Sequence, residues 1–286
     1  MERPLEEHRL DITLPDTVIS TELLTAGDGP PVVFLHGIAD SAQTWQWVMR
    51  NLTPRYRLIA PSFPGFGQSD KPAVAYSPEL FTRFTLVLLD ALGLERACLV
   101  GNSLGGLVAL RLALSEPARV SALALIGSAG LGRAVSLSMR LLSLPGMRNM
   151  AVRWFGTPLG AQLWVSQLEA LLIAGSSPSG WRERMHRMAR TPGFLEAVAA
   201  TTASGINLRG QRELLLGQLS KLTVPTLILW GERDRIVPVR HARAAVERLV
   251  QGRLEILPDC GHLPQVEKPD QVADLLGDFL DKVDRC

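Results

Sequence analysis

The chain has 286 residues, of which 47% are hydrophobic and 20% are charged, a composition that excludes intrinsic disorder as the main state. Lys and Arg number 30 against 28 Asp and Glu, and the net charge of +2 gives no reason to expect nucleic-acid binding. Three cysteines, an odd number in a chain of this size, do not indicate a disulfide framework, and because no Cys-x-x-Cys pair is present, neither a structural zinc site nor a dithiol redox motif is predicted. The N-terminus carries no apolar signal segment and no apolar run reaches the length of a membrane span. We therefore expect a cytoplasmic protein without stable membrane insertion.

Over the first 130 residues, short apolar runs alternate with segments that have helical spacing. The runs predict strands, and the spaced segments predict helices, two of them with Ser41 and Ser77 as N-caps. The predicted strands are 10–14, 18–25, 31–36, 57–60, 97–100 and 120–126, and the predicted helices are 41–52, 78–92 and 104–115. Strands that are apolar on both faces and alternate with helices indicate βαβ units and a mostly parallel sheet.

The alternation stops after residue 126 and resumes near residue 222. In between, the sequence predicts helices and no strand, the helices being 137–144, 158–174, 181–190 and 193–203. Further on it predicts strands at 223–230 and 254–257 and helices at 238–249 and 269–283. We therefore predict an α/β core made of residues 1–130 and 218–286, interrupted by a helical cap at 131–217.

The segment Gly101-Asn-Ser-Leu-Gly105 lies between a predicted strand and a predicted helix. In that context the G-x-S-x-G pattern is typical of a nucleophile elbow, a tight turn that exposes the hydroxyl of its serine, here Ser103. The plainer alternative is a glycine-rich turn whose serine only caps the following helix. The elbow interpretation predicts Ser103 as nucleophile and the N–H of Leu104 as a donor to an oxyanion.

A serine nucleophile needs a base and a carboxylate that orients the base. His262 and Asp234 each follow a predicted strand, at the sheet edge where α/β proteins place their ligands. The chain order Ser103, Asp234, His262 is that of a Ser-Asp-His triad on an α/β sheet. Glu232, on the turn just before Asp234, is the alternative acid.

The His36-Gly37 turn follows the third predicted strand, where a second oxyanion donor belongs, and the N–H of Ile38 is the expected donor. His36 itself is expected to shape this loop rather than to act as a second base. His241 falls inside a predicted helix and is expected at the surface. Cys260, two residues before the proposed base, is expected to be a small buried filler.

Together these motifs resemble the α/β-hydrolase superfamily over about residues 20–130 and 222–284. The residues that carry the resemblance are His36-Gly37, Pro64–Pro72, Gly101–Gly106, Gly231–Asp234 and Gly261-His262. The resemblance implies an α/β-hydrolase fold, with a mostly parallel eight-stranded sheet, helices on both faces and an inserted helical cap. It implies no metal and no organic cofactor. One departure is Ser62, where related chains often have aspartate. This difference affects how the loop is hydrogen-bonded and does not affect the prediction of the triad.

The resemblance leads us to expect a serine hydrolase that cleaves esters or lactones of small to medium hydrophobic acyl groups. Gly37 and Asn102 are expected to contact this small-molecule substrate, and the protein is expected to be a monomer or a homodimer. One alternative is a carbon–carbon bond hydrolase acting on meta-cleavage products, with Arg182 or Arg184 binding the substrate carboxylate. Another alternative is a ligand-binding relative with negligible turnover.

Overall fold

The central layer of the molecule is an eight-stranded sheet, seen in a computed structural model that describes residues 4–53, 55–173 and 177–283. In chain order, the strands of the described residues are β1 (Glu6–Leu14), β2 (Thr17–Ala26), β3 (Pro31–Leu35), β4 (Arg57–Pro61), β5 (Ala97–Asn102), β6 (Val120–Ile126), β7 (Ile206–Asn207), β8 (Gly210–Gln211), β9 (Thr226–Gly231) and β10 (Gly252–Leu257). The sheet has the order β1-β2-β4-β3-β5-β6-β9-β10, and β7 and β8 form a separate hairpin. From β4 to β10 all neighbours are parallel, whereas β2 is antiparallel to β1 and β4. The predicted mostly parallel, eight-stranded sheet is confirmed.

Helices cover both faces of this sheet. In chain order, the described α-helices are α1 (Gln46–Leu52), α2 (Pro78–Ala91), α3 (Leu104–Ser115), α4 (Leu137–Leu142), α5 (Pro145–Phe155), α6 (Pro158–Glu169), α7 (Trp181–Ala189), α8 (Phe194–Gly205), α9 (Arg240–Val246), α10 (Pro264–Glu267) and α11 (Pro269–Val283). Side chains of α2 and α3 share one apolar cluster with Leu99, and those of α1 and α11 share another with Val100. Adjacent residues of β5 enter opposite clusters because side chains alternate along a strand, which explains why the strand is apolar throughout.

Residues 131–217, which we call the insert, form helices α4 to α8 and the β7–β8 hairpin. Helix α5 was not predicted, because we interpreted Pro145 and Gly146 as a break between helices. Proline is tolerated at the first helical position, where its missing N–H has no intrahelical role, and α5 begins at Pro145. The hairpin was also missed, because its strands have two residues each and show no visible alternation.

Two helix starts were predicted from serine N-caps. The Ser77 hydroxyl accepts a hydrogen bond from the N–H of Leu80, as expected for a cap. Ser41 makes no side-chain cap, and a 3-10 helix, Ala42–Trp45, precedes α1. The first turn of this predicted helix is therefore tighter than an α-helix.

Other differences concern element ends. Helix α6 ends at Glu169 and not at residue 174, which lies outside the described residues. Strand β1 begins at Glu6 and not at residue 10, so His8 lies in the sheet and not in an N-terminal tail. None of the helices in the described part of the chain is long and apolar enough to cross a membrane.

Candidate active site

A tight turn joins β5 to α3 and carries Ser103 at its apex. Ser103 has a φ of 52° and a ψ of −110°, a strained conformation for a residue with a Cβ atom. The flanking glycines are required: a Cβ atom on Gly101 would lie 2.3 Å from the carbonyl oxygen of Gly105, and one on Gly105 would lie 2.0 Å from that of Leu35. The Ser103 side chain makes no capping hydrogen bond, which favours the elbow interpretation over the plain helix cap.

His262 and Asp234 form a hydrogen-bonded pair beyond the carboxyl ends of β10 and β9. Nδ1 of His262 lies 2.7 Å from Oδ2 of Asp234, whose side chain is completely buried. The other carboxylate oxygen accepts hydrogen bonds from the backbone N–H groups of Ile236 and Val237, at 2.8 and 2.9 Å. Asp234 is thus held in one orientation, and with Nδ1–H donating to it, Nε2 of His262 is the nitrogen left to accept a proton. Glu232, the alternative acid, is exposed.

Asn102 joins the Ser103 turn to the His262 loop. Its side chain is fully buried, and Nδ2 donates to the carbonyl oxygens of His262 at 3.2 Å and Ile126 at 3.1 Å. Gly37 lies beside the same turn, since a Cβ atom there would be 3.2 Å from Cβ of Ser103. Both residues predicted to contact substrate therefore adjoin Ser103. The buried amide of Asn102 favours a role in positioning His262 over contact with a substrate.

The predicted oxyanion donors, Ile38 and Leu104, line the same cavity as Ser103. Leu104 is the first residue of α3, so its N–H has no acceptor within the helix. Ile38 lies in the loop after β3, next to Ala39, which has a φ of 66°. The structure places both residues in the wall of the cavity at Ser103, and their role as donors stays a prediction.

The cavity at Ser103 lies between the sheet edge and the insert and has a volume of about 50 Å³. Its walls are mainly apolar, and among the described residues they include no Lys, Arg or His. The apolar lining consists of Ile38, Pro78, Leu104, Leu107, Ala129, Ile236 and Val237 from the core and Val135, Met139 and Ile206 from the insert. Glu213, the acidic residue of the lining, forms an ion pair with Arg111. A hydrophobic acyl group therefore fits this space better than a charged one.

His36 is fully buried and holds the loop that carries Ile38. Nε2 accepts a hydrogen bond from the N–H of Phe63 at 2.9 Å, so the proton is on Nδ1, which donates to the carbonyl oxygen of Gly37 at 2.7 Å. Burial lowers the pKa of His36 from 6.5 to about 4, and the ring is neutral at neutral pH. These contacts are those of a loop-shaping residue.

Ser62 lies in a buried network centred on Glu22 of β2. Oγ of Ser62 donates to Oε2 of Glu22 at 2.5 Å and accepts from the N–H of Ala42 at 2.9 Å. The same carboxylate oxygen accepts from the N–H of Gln68 at 2.9 Å. The negative charge that an aspartate at position 62 would bring to this loop comes instead from Glu22. The sequence analysis missed Glu22 because nothing in the local pattern connects it to a loop 40 residues away.

Glu267, in α10, was also missed. Its Oε1 accepts hydrogen bonds from the N–H groups of Gly261 at 2.9 Å and Leu263 at 3.3 Å, the two neighbours of His262. Its Oε2 accepts from the N–H of Ile173, in the insert, at 2.7 Å. One carboxylate therefore fixes both sides of the His262 loop and joins that loop to the insert. No motif marks this residue in the sequence.

A buried ion pair joins the insert to the loop after β3. Nη2 of Arg184, in α7, lies 3.3 Å from Oδ1 of Asp40, and the two side chains are 8% and 7% exposed. The guanidinium also lies over the ring of Trp47, 5.6 Å from its centre. Arg182 forms an ion pair with Glu169. Neither arginine lines the cavity at Ser103.

Two residues near the site were assigned an environment from the sequence. His241 was expected at the surface, which is wrong: it is 6% exposed, its ring packs against Gly132, and burial lowers its pKa. The helix that carries His241 turns this residue inward, which its short pattern did not reveal. Cys260 is fully buried, and burial raises the pKa of its thiol to about 12, so it stays protonated at neutral pH.

Comparison with known proteins finds hydrolases among the relatives of this chain. An uncharacterized protein of Mycobacterium tuberculosis is 34% identical over 269 residues, which are 90% of this chain and 76% of that protein. A 2-hydroxymuconate semialdehyde hydrolase of a Pseudomonas species is 32% identical over 276 residues, 93% of this chain and 92% of that one. The solved structure of a thermophilic esterase from Thermogutta terrifontis superposes with a TM-score of 0.78 at 26% identity, covering 96% of this chain and 99% of the esterase.

The sequence of residues 30–269 matches the family model described as the alpha/beta hydrolase fold. The match spans most of the chain, and it includes the Ser103 turn, the Asp234 and His262 loops and the whole insert. Fold, site geometry and sequence agree, and the chain belongs to the α/β-hydrolase family.

Proposed function

We propose that this protein hydrolyses carboxylic esters, lactones included, of small to medium hydrophobic acids through a triad of Ser103, His262 and Asp234. The observation that supports this most is the strained turn that carries Ser103 at the same sheet edge as the hydrogen-bonded His262–Asp234 pair. A serine hydroxyl is a poor nucleophile until an oriented base removes its proton. The 2.7 Å hydrogen bond to Asp234 supplies that orientation.

In the proposed mechanism, Nε2 of His262 takes the proton of Ser103 as Oγ attacks the acyl carbon. The resulting oxyanion accepts hydrogen bonds from the N–H groups of Ile38 and Leu104. His262 then protonates the leaving alkoxide, which departs and leaves an acyl ester on Ser103. His262 then takes a proton from a water molecule as that water attacks the ester, and it returns the proton to Oγ of Ser103 as the acid is released.

We further propose that the insert, residues 131–217, acts as a cap over the core formed by residues 1–130 and 218–286. Val135, Met139 and Ile206 of the insert line the cavity at Ser103, which supports a role in holding the acyl group. Apolar walls of this kind favour neutral, hydrophobic substrates.

A second candidate is a carbon–carbon bond hydrolase that acts on a meta-cleavage product. The 32% identity to the Pseudomonas 2-hydroxymuconate semialdehyde hydrolase favours it. A dienoic diketo acid brings a carboxylate that needs a cation, for which Arg182 and Arg184 were the candidates. Both are paired, with Glu169 and Asp40 respectively, and neither lines the cavity at Ser103. Ester hydrolysis is therefore the better-supported proposal.

The catalytic assignment is tested with Ser103→Ala in a p-nitrophenyl ester assay. We expect kcat/KM to fall by about 10⁴-fold or more, because the covalent route is lost. Ser115→Ala, at the exposed far end of α3, is the matched control and should retain wild-type activity. Near-normal hydrolysis by Ser103→Ala would overturn the proposal.

Two further measurements separate the candidates. A fluorophosphonate probe should label the wild type and not Ser103→Ala, whereas a folded wild-type protein that resists labelling would favour a ligand-binding relative. A panel of p-nitrophenyl esters, lactones and a dienoic meta-cleavage product gives the substrate class. A large preference for the dienoic acid would replace ester hydrolysis by carbon–carbon bond cleavage.

A further inference from the structure

The charge of the chain is divided unevenly between the insert and the core. Residues 131–217 contain ten arginines, no lysine and four glutamates, a net charge of +6. The rest of the chain has twenty basic and twenty-four acidic residues, a net charge of −4. From residue 131 to residue 168 there are four arginines and no acidic residue. The overall net charge of +2 therefore conceals a strongly basic insert.

Exposed apolar side chains concentrate in the same segment. Of the eleven large hydrophobic side chains that are exposed among the described residues, nine belong to the insert. Leu137 of α4 is 67% exposed, Met150 of α5 59% and Leu159 of α6 58%. Single exposed apolar residues are ordinary on a protein surface, but nine in one basic segment mark an interaction face.

Helix α5 shows how the two properties combine. Met147, Met150 and Trp154 recur at helical spacing on its exposed face, and Arg153 is exposed beside them. Its other face packs through Phe155 towards α8. A helix that presents Trp and Met together with arginine to the solvent has the composition of helices that lie in the plane of a lipid–water interface.

A basic hollow adjoins the start of α5. It has a volume of about 530 Å³ and is lined by Arg148, Arg209 and Arg212, with the exposed Leu208 at its edge. No acidic side chain of the described residues lines this hollow. Nor does any described carboxylate lie within ion-pair distance of these three arginines. The hollow thus offers unneutralised positive charge next to apolar surface.

From this combination we propose that the face formed by α4, α5 and the β7–β8 turn binds peripherally to an anionic lipid membrane. Trp154 and Met150 enter the region of the lipid headgroups, and Arg148, Arg153 and Arg209 contact the anionic phosphates. A symmetric dimer through this face is disfavoured, because two inserts meeting face to face would oppose like charges. A nucleic acid would meet the arginines but leave the apolar side chains without a partner.

The position of α4 connects this face to the cavity at Ser103. Met139 lines the cavity, whereas Leu137 and Leu141 of the same helix are exposed. A membrane bound to this face would therefore lie along the outer wall of the cavity, where a lipophilic substrate dissolved in the bilayer is concentrated. The binding itself requires no catalysis, so Ser103→Ala should bind membranes as the wild type does.

The test is cosedimentation of the full chain with two kinds of vesicle, phosphatidylcholine alone and phosphatidylcholine mixed with phosphatidylglycerol. We expect the wild type to bind the anionic vesicles, less so at high salt, and to bind neutral vesicles weakly. In the triple variant Arg148→Gln, Arg153→Gln, Arg209→Gln, the partition coefficient should fall by about a hundredfold, since each arginine near an anionic surface contributes about fivefold.

A matched triple variant, Arg50→Gln, Arg83→Gln, Arg243→Gln, removes three exposed arginines of the core and should bind as the wild type does. The double variant Met150→Gln, Trp154→Gln should lose at least tenfold while keeping every charge. Equal binding to both vesicles, no binding, or tighter binding to duplex DNA than to anionic vesicles would each overturn the proposal. So would a dimer in solution that the double variant dissociates.

Discussion

Replacing Asp40 by asparagine leaves the guanidinium of Arg184 buried without a carboxylate partner. The wild-type pair has an Nη2–Oδ1 distance of 3.3 Å, and both side chains are under a tenth exposed. The asparagine oxygen can still accept the hydrogen bond that Asp40 takes from the N–H of Ser41. Burial already lowers the pKa of Arg184, and the charge of Asp40 counteracts that shift. The variant therefore removes the main compensation for a costly buried charge.

At 3.3 Å and an effective dielectric constant of about 20, the attraction within the pair is about 5 kcal/mol. Removing one partner of a buried pair typically costs about 3–5 kcal/mol, because the remaining charge is left uncompensated. We expect Asp40→Asn to lower the free energy of unfolding by about 3 kcal/mol. Arg184→Met removes the guanidinium, together with its contact with the ring of Trp47, and leaves the buried carboxylate of Asp40 without its cation, so we expect a similar loss.

Urea unfolding followed by tryptophan fluorescence measures these losses. The double variant Asp40→Asn, Arg184→Met should lose much less than the sum of the two single variants, which gives a coupling energy of about 2 kcal/mol or more. Asp90→Asn breaks the exposed Asp90–Arg119 pair and should cost less than about 1 kcal/mol.

The reasoning is refuted if each single variant loses less than about 1 kcal/mol, or if the two losses are additive. A kinetic measurement on the folded variants adds a second check. Asp40 lies two residues after Ile38, so a loosened loop should lower kcat for ester hydrolysis more than it raises KM. An unchanged kcat in a destabilised variant would show that the ion pair does not position the loop that carries Ile38.

Three further predictions follow from the buried network around the site. Glu267→Gln keeps the shape of the side chain but places an NH₂ group opposite one of the backbone N–H groups that the carboxylate binds. The variant should lower kcat by about 10–100-fold, because His262 is then misplaced, with little change in KM. His36 has a folded pKa of about 4 against an ordinary 6.5, so its contribution to stability is complete above pH 6.5 and is lost as the pH falls through 4, about 3 kcal/mol in all. Gly67→Ala should lower the free energy of unfolding by at least about 2 kcal/mol more than Gly93→Ala does. Both glycines have a positive φ, but only a Cβ atom at position 67 would meet side-chain oxygens, at 2.3 Å.

Each of these has its own control and contrary result. For Glu267→Gln, the exposed Glu232→Gln is the control, and a change in KM alone would mean that the carboxylate does not position His262. For His36, urea unfolding from pH 7 to pH 4 should show a smaller loss in His36→Gln than in the wild type, and parallel curves would contradict the assignment. Equal losses for the two glycine variants would show that the close contact at position 67 is relieved at no cost.

How far the sequence predicts the site differs from residue to residue. Ser103, Asp234 and His262 could be predicted to lie together because each follows a strand of a parallel sheet, and the carboxyl ends of such strands meet at one edge. Glu22, Glu267 and the pairing of Asp40 with Arg184 were not found. These groups act through backbone N–H groups or partners that are distant along the chain, and a contact of that kind leaves no spacing that a pattern could reveal.

The sequence by itself determined the alternation of strands and helices, the order of the chemical residues and the presence of a helical insert. These are local properties, since hydrophobic periodicity and turn-forming glycines act over a few residues. Only the tertiary structure decided that helix α5 begins at Pro145 and that Arg184 pairs with Asp40 instead of facing the cavity. It also decided that the insert turns apolar side chains outward, beside arginines that form no ion pair among the described residues. Those properties depend on which surfaces meet, and burial is decided by the whole chain rather than by any segment of it.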